Sequence, residues 1–282
     1  MATFVADCAA ENFLKSVQLA HTIPNVGYPV TGIASLGDEL FVLRCNYAFI
    51  QVFKPSVNMD CQRNLDVGMG ALSFRGLAAC EFNQCLYASA WNTRAIAIYK
   101  VSPVTNNVVK QWSANGQLYG LSVNSVHNLL VACYDTYKVQ EFTTDGAMVR
   151  EIDLQPSGIT NPMHVVQLPD GNLGITHHGS EHGFSMVGSD GKIVKSAKGP
   201  AGNAAGQMDS PIGFAVSKGK VFIVDQGNNR LLLLNSESMS FEQLPPSFNV
   251  GFNFPRCIHF DESAGVMYVG EFSGGRVFCF KK

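Results

Sequence analysis

The sequence contains few charged residues and no long apolar segment. Asp, Glu, Lys and Arg make up 15% of the 282 residues and leave a formal net charge of −2, whereas a typical soluble domain has about 25% charged residues. A chain this close to neutrality has no general attraction to nucleic acid or to acidic membranes. No run approaches the roughly 18 apolar residues of a membrane-spanning helix. The first residues also lack the basic segment of a secretory signal, and no N-x-S/T acceptor occurs.

Cysteine pairs with metal-binding or redox spacing are absent as well. The eight cysteines stand at positions 8, 45, 61, 80, 85, 133, 257 and 279, and no C-x-x-C occurs. Several fall in apolar, strand-like segments, where a free cysteine packs as a small hydrophobic residue. We therefore expect reduced thiols in a cytoplasmic protein that does not associate with membranes.

What the chain does contain is one pattern that occurs six times. The copies are anchored near Gly32, Gly76, Gly120, Met163, Gly213 and Arg256, and the anchors lie 43 to 50 residues apart. Each copy alternates short apolar segments with turns, and a period of about 40–45 residues of this kind is typical of a β-propeller with one four-stranded blade per repeat. We predict an all-β fold, a six-bladed propeller of four-stranded antiparallel blades that spans residues 1–282 as one domain.

The fifth copy shows how a blade is encoded. Residues 212–216 form a short apolar run with an internal glycine, as expected for an innermost strand that packs closely around an axis. Residues 221–224 are apolar on both faces, which favours a strand buried between two neighbouring blades. Residues 231–234 supply the third strand. In the third and fourth copies an Asp-Gly pair, at positions 145–146 and 190–191, predicts the hairpin into the fourth strand.

The two ends of the chain complement each other. Residues 277–280 match the third strand of the last copy, and no fourth strand follows them. Residues 16–23 precede the first copy and have no partner there. Because an unpaired sheet edge is a liability, we predict that this N-terminal segment forms the outer strand of the last blade and closes the ring.

Residues 211–216 and 221–230 resemble an NHL repeat, whose pattern is a proline, a glycine, an apolar strand and then v-y-V-a-D-x-g-N-x-R-i. Six degenerate copies cover almost the whole chain, and the fifth is nearest to that pattern. The resemblance implies a six-bladed propeller like the NHL domain of tripartite-motif proteins, with ion pairs across the turn between Asp225 and Arg230 and between Glu271 and Arg276. Half of such a pair is kept by Ser89 with Arg94 and by Cys133 with Lys138, and Arg44 with Phe49 loses it.

One face of such a propeller collects the loops into the innermost strands and the loops between strands two and three. By register this face is rich in aromatic, arginine and histidine side chains, and the first two are enriched at binding hot spots. The candidate binding residues are Arg44, Tyr47, Arg75, Trp91, Tyr134, Tyr137, Arg256 and Phe272. Tyr119 and Gln226 fall on the same face. We predict that a peptide or protein partner binds there.

The fourth copy departs furthest from the repeat, because residues 177–182 read His-His-Gly-Ser-Glu-His. Neutral imidazole is the commonest metal ligand, so His177, His178 and His182 are candidate ligands of zinc or another divalent metal, although no cofactor is otherwise expected. Without metal, His164, His177, His178 and Asp135 are candidate acid–base residues of a lyase or hydrolase acting on a small molecule at the channel mouth. A structural alternative is that the histidines replace the missing ion pair by stacking and hydrogen bonding.

The resemblance also brings two further classes into view. Propellers similar to NHL proteins include a peptide-amidating lyase with histidine-bound zinc and enzymes like strictosidine synthase or the lactonases. Their ligand spacing does not recur here, since His164 and His259 follow Pro162 and Pro255 at offsets of two and four. Some NHL propellers bind RNA. In this chain Tyr47 or Trp91 would be the aromatic residues that stack on the bases. Acidic residues on the same face and the lack of a Lys/Arg cluster argue against nucleic acid here.

Overall fold

Six four-stranded antiparallel sheets form the blades of a β-propeller, as the repeat predicted. The computed structural model describes residues 13–25, 27–47, 49–55, 58–66, 73–91 and 96–282. No helix in these ranges is long and apolar enough to cross a membrane. The fold is almost free of helix, apart from a helical turn at residues 13–16 and three short 3-10 segments, Gln155–Ser157, Gln226–Asn228 and Pro246–Phe248.

The strands are numbered along the chain, and each blade runs from its innermost strand outward. Strand β1 is Gln18–Ile23. Blade one consists of β2 (Val30–Leu36), β3 (Glu39–Arg44), β4 (Phe49–Lys54) and β5 (Asn58–Asp66). Blade two consists of β6 (Phe74–Cys80), β7 (Cys85–Trp91), β8 (Ile96–Ser102) and β9 (Asn107–Ser113). Blade three consists of β10 (Leu118–Val123), β11 (Leu129–Cys133), β12 (Lys138–Phe142) and β13 (Met148–Asp153).

The second half of the ring follows the same plan. Blade four consists of β14 (Pro162–Gln167), β15 (Leu173–His177), β16 (His182–Val187) and β17 (Ile193–Gly199). Blade five consists of β18 (Pro211–Ser217), β19 (Lys220–Asp225), β20 (Arg230–Asn235) and β21 (Phe241–Glu242). Blade six consists of β22 (Pro255–Asp261), β23 (Val266–Glu271), β24 (Val277–Lys281) and, as its outer strand, β1.

Closure of the ring by the N-terminal strand is confirmed. Strand β1 pairs antiparallel with β24, with Gln18 opposite Lys281 and Ile23 opposite Val277. The edge of β24 therefore carries no unpaired row of backbone groups, which is the physical reason for such closure. The predicted Asp-Gly hairpins are also present, since Gly146 and Gly191 adopt φ of 79° and 78° in the turns before the outer strands of blades three and four.

An irregularity of register recurs near the start of every innermost strand. In blade one Val30 lies opposite Arg44 and Gly32 lies opposite Leu43, so Thr31 is left without a partner as a bulge residue. A bulge of this kind re-aims the side chain of the extra residue. The equivalent residues of the other blades, by the same register shift, are Arg75, Tyr119, Met163, Ile212 and Arg256.

This register corrects two anchors of the repeat. In blades four and six the residues equivalent to Gly32 are His164 and Cys257, one position after the predicted Met163 and Arg256. The corrected anchors lie 44, 44, 44, 49 and 44 residues apart. The error arose because neither copy has a glycine at that position.

The glycines at this level let neighbouring inner strands approach closely. A Cβ atom on Gly32 would lie 2.6 Å from the Cβ of Leu77, and a Cβ on Gly120 would lie 2.4 Å from Cδ2 of His164. Such contacts leave no room for a side chain. The anchors of the repeat are therefore packing residues around the central channel.

The hydrophobic core lies between the blades rather than within them. Each of the six apolar clusters found in the described residues joins two neighbouring blades, for example Phe74 and Leu86 of blade two with Phe41 and Val52 of blade one. The second strands carry much of this core, since every residue of β11, β15 and β23 is buried. Because these strands are covered on both faces, their sequences are mostly apolar, with the exceptions of Thr176, His177 and Glu271.

Candidate ligand-binding face

The last residue of the second strand holds the loop that follows it in blades five and six. In blade five the buried Asp225 accepts hydrogen bonds from Nε of Arg230 at 2.7 Å and from Nδ2 of Asn228 at 2.9 Å. In blade six the buried Glu271 accepts from Nε and Nη2 of Arg276, both at 2.7 Å. Both predicted ion pairs are therefore present, and each fixes a loop between strands two and three.

The other four blades replace this carboxylate with different chemistry. The residue opposite the start of the innermost strand is Arg44, Ala90, Cys133 or His177. The assignment of Ser89 to this position was wrong by one residue, because the sequence of blade two carries no marker of the strand register at this loop. Arg94 lies outside the described residues. Lys138 forms its ion pair with Glu151 at 3.2 Å, not with blade three's second strand.

Cys133 has the surroundings of a structural thiol. Its side chain is fully buried, and burial raises the pKa of the thiol to about 12. A thiol with so high a pKa holds almost no nucleophilic thiolate at neutral pH. The other described cysteines, at positions 45, 61, 80, 85, 257 and 279, are free as well, and Cys8 lies outside the described residues.

Arg44 lies inside the ring instead of on the predicted surface. Its side chain is 0% exposed; it donates from Nε to Gln51 at 2.6 Å and from Nη1 to the carbonyls of Tyr28 and Gly275, both at 2.8 Å. Gly275 belongs to the β23–β24 loop, so the guanidinium ties blade one to blade six. Burial lowers the pKa of Arg44 to about 10. Arg44 therefore serves ring closure.

Two sets of residues surround one mouth of the channel: the bulge residues, and the residues one position after those that lie opposite the start of each innermost strand. By register, the second set is Cys45, Trp91, Tyr134, His178, Gln226 and Phe272. The side chain of Trp91 lies outside the described part of the chain. Both sets belong to the face of the strand 2–3 loops, where the binding residues were predicted.

Tyr119 is the centre of a connected group of side chains at this mouth. The Cζ atom of Arg75 lies 5.3 Å from the centre of the Tyr119 ring, and that of Arg256 lies 5.7 Å from it. The rings of Tyr119 and Tyr134 are 5.0 Å apart. Arg256 also lies 5.1 Å from the ring of Phe272. We call these five residues, Arg75, Tyr119, Tyr134, Arg256 and Phe272, the mouth cluster.

The mouth cluster continues into the histidines of blade four. His178 lies 5.6 Å from Tyr134 and 5.6 Å from His182, measured between ring centres. Burial lowers the pKa of His178. His182 accepts a hydrogen bond at Nδ1 from the backbone of Ser210 at 2.9 Å. Cationic and aromatic groups thus extend along this face from blade two to blade six.

The mouth cluster stands at one end of the central channel. The channel is a cavity of about 640 Å³ lined by the innermost strands, including Arg75, Tyr119 and Arg256. Ligand pockets commonly enclose about 300–1,000 Å³. At the level of the inner strands, His259 accepts at Nε2 from the backbone N–H of Ser35 at 3.1 Å and lies 2.7 Å from its hydroxyl. Sequence reasoning missed that contact, because the two residues lie in the first and last blades.

His164 and His177, two of the predicted acid–base residues, are buried and hydrogen-bonded. His164 accepts at Nδ1 from the backbone N–H of Phe214 at 3.3 Å, which joins blade four to blade five. His177 lies 2.9 Å from the hydroxyl of Ser185 through its Nε2. Burial lowers the pKa of each imidazole to about 4. Both are therefore neutral at pH 7.

The three predicted metal ligands do not converge. His177 turns to Ser185, whereas the rings of His178 and His182 meet edge to face, with an angle of 63° between their planes. No group of three or more His, Cys, Asp or Glu side chains in the described ranges is arranged to hold a metal ion. The residues present therefore do not form a zinc site in this arrangement. His177 and His182 form hydrogen bonds to Ser185 and to the backbone of Ser210, and the structural alternative stays a prediction.

The remaining predicted residues lie apart from the mouth cluster or serve the loops. Asp135 accepts the backbone N–H of Gln117 at 2.7 Å, which fixes the loop before β10. Tyr47 packs on Tyr28 with ring centres 4.9 Å apart. Tyr137 adopts φ of 55° at the turn into β12. Tyr119, in contrast, was predicted only to lie on the same face as the candidate binding residues, yet it lies at the centre of the mouth cluster. Its position as a bulge residue was not visible in the sequence.

Comparison with known proteins defines the class of this protein as a six-bladed β-propeller. No family model and no curated protein matches the sequence, so the NHL resemblance rests on the motif residues alone. Solved structures with the same fold include virginiamycin B lyase from Staphylococcus aureus, with a TM-score of 0.67, 13% identity and coverage of 95% of this chain and 100% of that one.

Two other neighbours are a streptogramin B lyase, with a TM-score of 0.67, 15% identity and coverage of 94% and 97% of the two chains, and the Cps50 (Swd1) β-propeller domain of Myceliophteria thermophila. For the latter the TM-score is 0.62, the identity 10% and the coverage 95% and 100%. Identities this low establish a shared fold and leave function to the site itself.

Proposed function

We propose that the protein is a binding module that holds a peptide or protein partner on the face of the mouth cluster. The observation that carries this proposal is the connected set Arg75, Tyr119, Tyr134, Arg256 and Phe272 around the channel mouth. Tyrosine and arginine dominate binding hot spots because they bring large contact areas and directional hydrogen bonds together.

The mouth cluster is also prepared for binding before a partner arrives. Tyr119 is packed by two guanidinium groups and by Tyr134, and Tyr134 is packed in turn by His178. Side chains already fixed in one position lose little conformational entropy on binding. Tyr119, Tyr134 and Phe272 remain partly exposed, so their rings can still contact a ligand.

The structural neighbours support a ligand at a propeller of this shape. A catalytically inactive form of the Staphylococcus aureus virginiamycin B lyase was solved with quinupristin, and it shares this fold with a TM-score of 0.66 and 13% identity. That protein's ligand does not identify a ligand for this chain. It supports only the use of such a scaffold for binding.

A peptide-display selection tests the proposal. We expect peptides selected on the wild-type protein to lose binding to a Tyr134→Ala, Phe272→Ala variant, and to bind a Phe82→Ala variant as before. Phe82 is the matched control, because it is an exposed aromatic residue, 73% accessible, on the opposite face in the β6–β7 turn. Truncating a hot-spot aromatic costs about 2 kcal/mol or more, a loss of roughly thirtyfold in affinity. Equal loss in the Phe82 variant, or no selectable peptide, would contradict the proposal.

An enzyme, a lyase or hydrolase with His164, His177, His178 and Asp135 as its acid–base residues, stays an alternative. It rests on the channel mouth and on histidine chemistry, with or without zinc. Elemental analysis of untagged protein, before and after alanine replacement of His177, His178 and His182, tests the metal. About one metal ion per chain, lost in the variant, would support the enzyme; no metal in the parent protein would leave these side chains as structural or ligand contacts.

RNA binding stays a third prediction and is not favoured. Arg75 and Arg256 are positive, but Asp135 and Glu181 lie on the same face by register, and the net charge is −2. We propose a cytoplasmic location, which the seven free cysteines of the described residues support. Tight RNA binding at physiological salt in a filter or mobility-shift assay would overturn this order of hypotheses.

A further inference from the structure

Arg256 is a buried cation whose hydrogen-bonding edge is not used. Its side chain is 6% exposed at the bulge of β22. The rings of Tyr119 and Phe272 lie 5.7 Å and 5.1 Å from its Cζ atom. Cation–π contacts of this kind engage the guanidinium group as a charge. Two of its nitrogens, Nε and Nη2, are buried without any hydrogen-bond partner.

The charge of Arg256 is not balanced by a carboxylate of the same site. Among the described residues no Asp or Glu forms a salt bridge with it. Glu271, the buried carboxylate of its own blade, is already engaged by Arg276 and by the backbone N–H of Asn253. A charged neighbour of Arg256 is a second cation, Arg75, which also lies against the ring of Tyr119.

Burial and the second cation both act against the charged form of Arg256. Together they lower its pKa to about 10, with burial the larger cause and the charge of Arg75 the next. The group is still protonated at pH 7. A buried charge without a partner is strongly unfavourable, and proteins usually pair such charges or bind an ion to them. The mouth therefore holds a positive site that an anion would complete.

We infer that the ligand at this face presents an oxoanion, a carboxylate or a phosphate group, to the free edge of Arg256 inside the channel mouth. Arginine suits this group because its planar fork of N–H donors matches the oxygens of both anions. Arg75 adds a favourable positive potential, and the cavity of about 640 Å³ that both arginines line has room for the group. The inference rests on the proposed function for the face at which the ligand enters.

Direct titration with inorganic phosphate and with succinate tests this site without any knowledge of the natural ligand. Protein labelled with ¹⁵N-arginine is titrated at constant ionic strength, and the Nε–H resonance of Arg256 is followed while calorimetry measures affinity. We expect saturable binding of at least one anion, with a shift of that resonance. Binding of phosphate alone would indicate a phosphorylated ligand, and binding of succinate alone a carboxylate ligand.

Three variants assign the binding to the guanidinium fork. Arg256→Met removes the charge at similar length and should weaken binding by about tenfold or more, since a hydrogen-bonded charge contributes at least that factor. Arg256→Lys keeps the charge without the fork and should bind with intermediate affinity. Arg150→Met is the matched control, because Arg150 lies on the outer strand of blade three, away from the channel mouth, and pairs with Glu141 of the neighbouring strand. The anion affinity of this variant should stay within twofold of that of the wild type.

Thermal unfolding gives an independent readout. Without added anion the Arg256→Met variant should melt no lower than the wild type, because it lacks the unpaired buried charge. Phosphate or succinate should raise the melting temperature of the wild type and not that of the variant, since only a state that binds the ligand is stabilised. If the variant does not fold, the wild-type resonance shift and Arg256→Lys still decide the question.

Two results would overturn the inference: no saturable binding of either anion to the wild type, or equal affinities of wild type and Arg256→Met. These failures differ from a failure of the proposed function. Peptides that bind the mouth cluster with no anion site would leave the binding module standing and remove the oxoanion. Anion binding with no selectable peptide would leave the oxoanion site standing and remove the peptide or protein partner.

Discussion

Replacing Asp225 with alanine tests how the propeller holds the loops on the face of the mouth cluster. The carboxylate is 0% exposed and accepts three hydrogen bonds, from the backbone N–H of Asp209 at 2.6 Å, from Asn228 at 2.9 Å and from Nε of Arg230 at 2.7 Å. Arg230 also donates to the carbonyl of Gln207 at 2.9 Å. One carboxylate thus joins the loop before β18 to the loop after β19.

The magnitude follows from what Asp225→Ala leaves behind. Removing one partner of a buried ion pair costs about 3–5 kcal/mol. Arg230 is 33% exposed, so water can rehydrate part of its charge, and we expect the lower end, about 3 kcal/mol. Unfolding entropy of about 2.1 cal/mol/K per residue over 282 residues gives about 0.6 kcal/mol/K. The melting temperature should therefore fall by about 5 °C.

A double-mutant cycle measured by thermal unfolding separates the pair from its surroundings. The variants are Asp225→Ala, Arg230→Ala and the combination, and we expect a coupling of about 1.5–3 kcal/mol, the range for hydrogen bonds between charged groups. The same cycle on Lys192 and Asp190 is the control. Nζ of Lys192 lies 3.2 Å from Oδ2 of Asp190, but the two side chains are 83% and 57% exposed, so the coupling energy between them should not be measurable.

A coupling energy below about 0.5 kcal/mol between Asp225 and Arg230 would refute this reasoning, because substitutions of residues that do not interact already deviate from additivity by about that much. An unchanged melting temperature for Asp225→Ala would refute it as well. Either result would mean that packing between blades, rather than the buried carboxylate, holds the loop.

Three further predictions concern the ring itself. Between pH 6.5 and about 4 the free energy of unfolding should fall as pH falls, because the pKa of His164, His177 and His259 is lowered to about 4 in the folded chain and the unfolded chain binds protons first. Each histidine contributes a slope of up to about 1.4 kcal/mol per pH unit. The His177→Asn variant should show a smaller slope in melting curves recorded over this pH range. Gly120→Ala should cost about 1–3 kcal/mol by overpacking, whereas Gly199→Ala, whose Cβ would meet no atom within 4 Å, should leave the urea midpoint unchanged. Deleting β1 should abolish cooperative unfolding, since it exposes the edge of β24, and an unchanged transition by circular dichroism would contradict the role of closure.

Local patterns in the sequence predicted the blade and its turns. Asp-Gly at positions 145–146 and 190–191 predicted hairpins, because the glycine adopts a positive φ that other residues avoid. The pairing of Asp225 with Arg230 and of Glu271 with Arg276 could also be predicted, because five residues of chain across one turn bring each pair together. Interactions this short depend little on the rest of the fold.

Register and burial were harder to predict. The anchors at Met163 and Arg256 were one residue off, because neither copy has a glycine at the position equivalent to Gly32, and the strand end in blade two was placed at Ser89 instead of Ala90. A bulge adds one residue without changing the apolar pattern on either side, so the sequence carries no mark of it. Arg44 was placed on the binding face by its register in the repeat, whereas its side chain is buried and donates hydrogen bonds to acceptors from three segments.

By itself the sequence determined the all-β propeller, its six blades and its closure by the N-terminal strand, because each of these follows from repeated local patterns and from the need to pair every strand edge. Only the tertiary structure decided that Arg75 and Arg256, in blades two and six, would both lie against the ring of Tyr119 in blade three. Contacts across the channel depend on the ring's diameter and on the direction in which each bulge turns its side chain. Both are set by how six blades pack together, which no single repeat encodes.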